Sequence, residues 1–393
     1  MYPIKLCFLF ILTIPPYAHV RTRTPHRRGT TSKMAKANFP PSARYVNMTQ
    51  VYATGAHNMP DEDRLKVMNG LSKPLTEAKP GDLGFGDVES MTFCEEFVAI
   101  MFLLIIVGSM LWIPIAVLGF ALYVRSAMAW VVMLIVFFTL SLHPVPRIHD
   151  MVHSPLNHFI FKYFSLKMAS DAPLDSAGRY IFVAPPHGVL PMGNLMTVHA
   201  MKACGGLEFR GLTTDVALRL PLFRHYLGAI GTIAATRHVA KQYLDKGWSI
   251  GISSGGVAEI FEVNNKDEVV LMKERKGFVK LALRTGTPLV ACYIFGNTKL
   301  LSAWYDDGGV LEGLSRYLKC GVLPLWGRFG LPLMHRHPVL GAMAKPIVVP
   351  KVEGEPTQEM IDEYHSLFCQ TLVDLFDRYK TLYGWPDKKL LIK

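Results

Sequence analysis

Phe97–Val124 runs for 28 residues without a charged side chain, Arg125 interrupts it, and Ser126–Pro146 continues for another 21. A membrane-spanning helix needs about 20 apolar residues at 1.5 Å each to cross a hydrocarbon core of roughly 30 Å. Residues 97–146 therefore predict a helical hairpin of two spans, with its turn near Gly119–Arg125. Pro114 can instead kink a re-entrant element, provided that neighbours satisfy the backbone it frees. Arg147, Lys162 and Lys167 follow the second run while only Arg125 lies in the turn, so both ends are expected on the cytosolic side. A buried hairpin of a soluble protein is the competing reading, and fifty residues with a single charge weigh against it.

The net charge of +11 is unevenly placed. Residues 1–60 hold eight basic residues and no acid, which leaves 34 basic against 31 acidic, or +3, for the rest. In that segment Lys5 precedes the apolar run Leu6–Ile14, then Pro15-Pro16, then an Arg-, Thr- and Ser-rich stretch. The order is that of a signal peptide followed by a transit-like tail, a bipartite leader with a plastid route. The alternative start at Met34 would make residues 1–33 an extension. Without the leader the charge gives no support to nucleic-acid binding. Asn47-Met48-Thr49 fits a glycosylation acceptor. The six cysteines are scattered without a C-x-x-C pair, so neither a zinc module nor a disulfide framework is expected.

The chain thus divides into a leader over 1–60, a linker over 61–96, the hairpin over 97–146 and a body over 147–393. In the body, strand-like Tyr180–Ala184, Trp248–Ile252, Val269–Met272 and Leu289–Ile294 alternate with helix-competent Met192–Ala203 and Lys276–Thr285, which argues for an α/β fold on a largely parallel sheet. Ile361, Tyr364, Phe368, Leu372, Leu375, Tyr379 and Leu382 recur at steps of three and four and predict an amphipathic helix stopped by Gly384.

Three constellations carry chemistry. His149-x-x-x-His153 has the spacing of a metal box, but His335-x-His337 is a poor second cluster, so no metal is expected. Gly251-Ile-Ser253-Ser-Gly255 matches the nucleophile elbow of serine hydrolases, with no accompanying oxyanion loop. Pro186-His187-Gly188 follows a strand, at the carboxyl end where α/β sheets bind ligands.

The strings Tyr180–Asn194 (YIFVAPPHGVLPMGN), Gly255-Gly-Val-Ala-Glu259, Arg275–Ala282 with Gly286, Tyr293–Gly296, Lys345–Pro350, Glu355–Gln358 and Tyr364-His365 occur in an order that resembles the type 2 diacylglycerol acyltransferases, with wording closest to the plant and algal branch. The resemblance implies an α/β acyltransferase-like domain over 147–393, anchored by the transmembrane hairpin. It also implies transfer of a fatty acyl group from acyl-CoA, a co-substrate, to diacylglycerol at the endoplasmic reticulum membrane and lipid droplets, with no cofactor. Monoacylglycerol and fatty alcohols are alternative acceptors, and a homo-oligomer is compatible with it. The family's HPHG motif maps onto Pro185–Gly188, with His187 as its second histidine and Pro185 in place of the first. A neutral imidazole suits the removal of an alcohol proton. Glu259, by its match to GGxxE, is the candidate carboxylate partner. Pro186, Gly188, Gly255, Gly256, Gly277 and Phe278 are candidate substrate-binding positions. Lys273, Arg275, Lys276, Lys280 and Arg284, with Arg328, are expected to meet the CoA phosphates. The remaining alternatives are a hydrolase acting through Ser253 and a non-catalytic protein coating lipid droplets.

Overall fold

The computed structural model describes residues 39–75, 84–124, 126–143, 151, 154–205, 207–263 and 266–393. Its strands are β1 (Arg44–Asn47), β2 (Lys73–Pro74), β3 (Lys167–Ser170), β4 (Ile181–Val183), β5 (Phe209–Thr213), β6 (Ile233–Ala234), β7 (Ser249–Ile252), β8 (Glu268–Val270), β9 (Leu289–Phe295), β10 (Ser302–Ala303), β11 (Leu325–Trp326), β12 (Leu340–Met343) and β13 (Leu390–Ile392). Nine of them form one sheet in the order β2-β1-β3-β12-β9-β4-β7-β5-β6. The β9-β4-β7-β5-β6 half is parallel, as the alternating pattern predicts. The other half is mixed, because β12 runs antiparallel to β9 and β1 antiparallel to β3.

Strand β9 reads Leu-Val-Ala-Cys-Tyr-Ile-Phe, and every residue is buried. A strand covered on both faces needs no polar alternation. Its residues still divide by parity: Val290, Cys292 and Ile294 enter one core, while Leu289, Ala291, Tyr293 and Phe295 enter the other. The second core is covered by the amphipathic helix Gln358–Tyr383, which ends at Gly384 as expected. The first core is covered by the helix Met192–Gly205 and by the apolar N-terminal helices.

Two boundaries drawn from sequence move. The leader was drawn to residue 60, yet β1 pairs with β3 through Arg44↔Ser170 to Asn47↔Lys167, so the body begins at least this early. The bias against acidic residues, which marks the segment as targeting, is no bar to a four-residue strand held between β2 and β3. Residues 61–96 are not a plain linker either, since Asp61–Leu71 is a helix and β2 extends the sheet. Asn47 is occupied as a helix cap: its Oδ1 accepts from Thr49 N–H and its Nδ2 donates to Glu89 at 2.7 Å. That use argues against glycosylation there.

The long apolar run also breaks differently. Thr92 and Glu95 form a capping box that starts the helix Phe93–Phe102. A π-helical turn, Leu103–Val107, follows, and the chain bends at Gly108 before the helix Ser109–Tyr123. Among the described residues no single helix is long and apolar enough to cross a membrane; Phe93–Val107 and Ser109–Val117 reach that length only as a pair bent by 45°. Ser126 caps the next helix, Ala127–Leu142, whose Ile135, Phe138 and Leu142 are more than half exposed. Among the described residues nothing covers that face. The two helices end at Tyr123 and begin at Ala127, so the break spans the end of the expected interval Gly119–Arg125, and Arg125 itself lies outside the described residues.

Candidate active site

Strand β4 ends at Val183, and the loop Ala184–Leu190 carries His187 to the edge of a cavity of about 280 Å³. The cavity lies on the first core's side of the sheet. Phe182, Cys292 and Ile294 floor it, Leu195 and Val198 wall it, and Val107 and Leu111 of the bent apolar helices close its side. Its volume sits near the lower end of the roughly 300–1,000 Å³ typical of small-molecule sites, and its lining is overwhelmingly apolar.

The imidazole of His187 faces the carbonyl of Gly188, with Nδ1 2.9 Å from the oxygen. A carbonyl can only accept, so Nδ1 carries the hydrogen and Nε2 keeps its lone pair. Burial pushes the ring below its ordinary value, partly offset by the Gly188 bond, so it is neutral at physiological pH. The residue at the predicted place is thus a free base on a cavity wall.

Glu259 does not orient that ring. Its Oε2 accepts from the main-chain N–H of His187 at 2.5 Å, and its Oε1 accepts from Leu271 N–H at 3.1 Å. It is 1% exposed, and burial pushes its carboxyl up to about 7 despite both N–H bonds. The carboxylate thus fixes the backbone that presents the histidine and bonds to no imidazole. Gly255 explains the double glycine: a Cβ there would lie 2.1 Å from Glu259 Cδ, so the carboxylate can fold back only over a glycine. Gly256 opens the short helix Gly256–Ile260 at φ +59°.

A second support was missed in the sequence. Asn297, 1% exposed and two residues past the end of β9, donates from Nδ2 to the carbonyls of Pro186 at 2.9 Å and His187 at 2.8 Å. Its Oδ1 accepts from Gly193 N–H at 2.9 Å. One amide therefore ties the His187 loop to the start of the next helix. Asn194 adds a bond from Nδ2 to the Ala184 carbonyl at 2.5 Å. Gly188, at φ +62°, has room for no Cβ, which would come 2.9 Å from the Asn297 carbonyl oxygen. The available signal was a polar residue two positions past a fully apolar strand, at the sheet's ligand-binding end.

The basic cluster separates. Lys276 pairs with Asp362 at 2.7 Å, Lys280 with Glu355 at 2.6 Å, and Arg284 also reaches Glu355. All three lie on or beside the helix Gly277–Thr285, whose Phe278 is buried in the second core, across the sheet from the cavity. Gly277 begins that helix and Phe278 is a packing residue. Arg328 is engaged by Glu96 and the Tyr163 hydroxyl. In the free protein these four are thus engaged by acidic or phenolic partners. Lys273 and Arg275 remain exposed, with no ion pair among the described residues, and Arg275 is near enough to favour the Glu259 charge.

Ser253 lines the same cavity one residue past β7, but its Oγ has no hydrogen-bond partner among the described residues. The serine–base pair that defines an activated nucleophile is absent there. His149 and His153 lie outside the described residues, and within those residues no group of three or more His, Cys, Asp or Glu could hold a metal.

Comparison with known proteins agrees with the motif order. Diacylglycerol O-acyltransferase 2 of Danio rerio is 31% identical over 253 residues, covering 58% of this chain and 69% of that protein. Diacylglycerol O-acyltransferase 2-like protein 6 of Bos taurus is 30% identical over 252 residues, with 58% and 74% covered. Diacylglycerol O-acyltransferase 2A of Umbelopsis ramanniana is 32% identical over 243 residues, with 56% and 68% covered. Among solved structures, the 1-acyl-sn-glycerophosphate acyltransferase PlsC of Thermotoga maritima aligns with a TM-score of 0.34 at 13% identity, over 70% of this chain and 94% of that one. Residues 120–393 match the family model for diacylglycerol acyltransferase, and with that match over the region that builds the His187 site, the chain belongs to the diacylglycerol acyltransferase family.

Proposed function

We propose that this chain is an acyl-CoA-dependent diacylglycerol O-acyltransferase that makes triacylglycerol with His187 as general base. The observation that carries the reading is the His187 ring, held neutral with Nδ1 on the Gly188 carbonyl, on the wall of an apolar cavity that apolar N-terminal helices help to close. In the reaction Nε2 takes the hydroxyl proton as the oxygen attacks the thioester carbonyl. The C–S bond then breaks and the imidazolium returns the proton to the CoA thiolate. General-base help of this kind is worth about 10²–10⁴-fold in rate. No covalent enzyme intermediate is required.

The bent pair and the helix Ala127–Leu142 anchor the enzyme in the bilayer, in keeping with their exposed apolar surfaces, and diacylglycerol enters laterally past Val107–Leu111. The endoplasmic reticulum membrane and lipid droplets are the matching locations. Acyl-CoA phosphates have Lys273 and Arg275 as their remaining candidates.

The test is expression in cells that lack neutral-lipid synthesis, supplied separately with diacylglycerol, monoacylglycerol and fatty alcohol. Triacylglycerol should form, and His187→Ala should lower its rate by about 10²-fold or more while the protein still reaches the membrane. A product made only from fatty alcohol would overturn the acceptor, and a fully active His187→Ala would overturn the base. Covalent labelling of Ser253 by a fluorophosphonate would restore the hydrolase.

A further inference from the structure

The excursion between β10 and β11 contains a helix that leaves most of its apolar stripe outside. In Val310–Leu318 the apolar residues Val310, Leu314, Tyr317 and Leu318 stand at i, i+4, i+7 and i+8, which is one stripe. A helix of a globular protein buries such a stripe. Here Tyr317 is 83% and Val310 is 71% exposed, with Leu314 and Leu318 also exposed. The face turned to the protein presents Leu311, which is half-buried, and Ser315, which is buried and holds Val322 N–H at 2.8 Å. Glu312 and Arg316 pair at 2.8 Å on the side away from the stripe.

The surroundings continue the surface. β10 and β11 pair through Ser302↔Trp326 and Ala303↔Leu325, so Trp304 and Trp326 stand on the two strands that bracket the helix in the chain. Both tryptophans are exposed, as is Phe329 just beyond. Trp and Tyr with an apolar body and a polar tip favour the boundary between water and lipid. Residues 304–331 carry three acidic and three basic side chains, so no net charge directs the patch to a polyanion.

Position selects the occupant. The cavity that holds His187 is lined by Val107–Leu111 of the apolar helices and also by Cys320, Gly321, Leu323 and Leu325, which follow the stripe directly. The outward stripe and the bent apolar helices therefore flank one cavity. We propose that Val310–Leu318, with Trp304, Trp326 and Phe329, is a second lipid-contacting surface: an interfacial helix that lies in the headgroup region and seats the cavity mouth on the bilayer. This rests on the membrane anchoring proposed above.

The full-length chain in phosphatidylcholine vesicles tests it, with Cys94→Ser as background and single variants Tyr317→Cys, Arg316→Cys and Ile135→Cys carrying an environment-sensitive fluorophore. Nitroxide-labelled lipid should quench Tyr317→Cys and Ile135→Cys, and aqueous iodide should quench Arg316→Cys. Quenching of Tyr317→Cys by iodide, with Ile135→Cys still quenched by lipid, overturns the interfacial helix alone. If Ile135→Cys also escapes the lipid quencher, the anchor reading fails first. Shielding of Tyr317→Cys from both quenchers that is lost on dilution identifies a second copy of the chain as the occupant and likewise overturns the proposal. Val310→Asp/Tyr317→Asp should reduce kcat/KM for long-chain diacylglycerol in vesicles about tenfold while sparing a short-chain, water-soluble diacylglycerol. Equal activity on both substrates in this variant overturns it as well.

Discussion

At the residue scale the proposed site consists of His187 and two groups that hold its backbone, Glu259 and Asn297. If Glu259 acts on the main chain and not on the ring, Glu259→Gln should leave the pH dependence of acyl transfer where it is. Glu259→Ala strands the N–H groups of His187 and Leu271, each worth about 1–3 kcal/mol when buried without a partner, and should lower both stability and kcat. A shifted pH profile in the Gln variant would put Glu259 back on the imidazole. Since burial lowers the His187 value below 6.5, the rate should stay level as pH falls to that point and decline only beneath it. Glu259 has the opposite sign. Its carboxyl rises from 4.5 to about 7 on folding, so the stability linked to it is full below 4.5 and lost as pH climbs through about 7. Thermal unfolding of the wild type should therefore drop across that window more than that of Glu259→Gln. Asn297→Asp is the sharper probe of the loop: it keeps the acceptor for Gly193 but removes the donor to the Pro186 and His187 carbonyls. Activity should fall at least tenfold with the cavity lining otherwise intact; wild-type kcat would show that the loop holds itself.

At the element scale, the helix Gly277–Thr285 shows how a motif can be legible while its role is not. Its boundaries, and those of β4, β7, β9 and the helix Gln358–Tyr383, followed from periodicity, because apolar steps of two and of three or four reflect local geometry. His187 was legible for the same reason, as a polar residue where a strand ends. The destination of Lys276, Lys280 and Arg284 was not, since their partners Asp362 and Glu355 are more than 70 residues away in sequence and meet them only after the sheet is covered. Asn297 was illegible in the same way: its bonds span more than 100 residues. The placement separates the ion-paired basic residues from Lys273 and Arg275, the proposed CoA contacts. Lys280→Ala should leave the KM for acyl-CoA within about twofold, because an exposed ion pair contributes only about 0–1 kcal/mol. Arg275→Ala should raise it. The reverse ranking would return the CoA site to the helix.

At the scale of the whole molecule, the sheet separates two environments. One face bears the helix Gln358–Tyr383 and its ion pairs, and the other bears the cavity and the apolar helices that proposed anchoring would put in lipid. The reaction then depends on how firmly those helices are held to the body, since Val107 and Leu111 are part of the cavity wall. The attachment is electrostatic as well as apolar. Glu95 pairs with Lys162 at 2.6 Å, and Glu96 engages Arg328 with Arg336 4.0 Å away. These side chains are about one-fifth to one-quarter exposed, which sets them between surface pairs and buried ones. Glu96→Ala leaves two guanidinium groups without their carboxylate, and its cost should fall near 2 kcal/mol, between the roughly 0–1 of an exposed pair and the 3–5 of a buried one. If the cluster only adds stability, thermal unfolding in detergent will shift and the kinetics will not. If it holds the bent helices against the cavity, kcat/KM for diacylglycerol should fall more than the loss of folded protein explains, while KM for acyl-CoA stays put, because Lys273 and Arg275, the proposed CoA contacts, do not line that wall. Raising the ionic strength should reproduce a weaker version of the same split in the wild type, since partly exposed charges are partly screened.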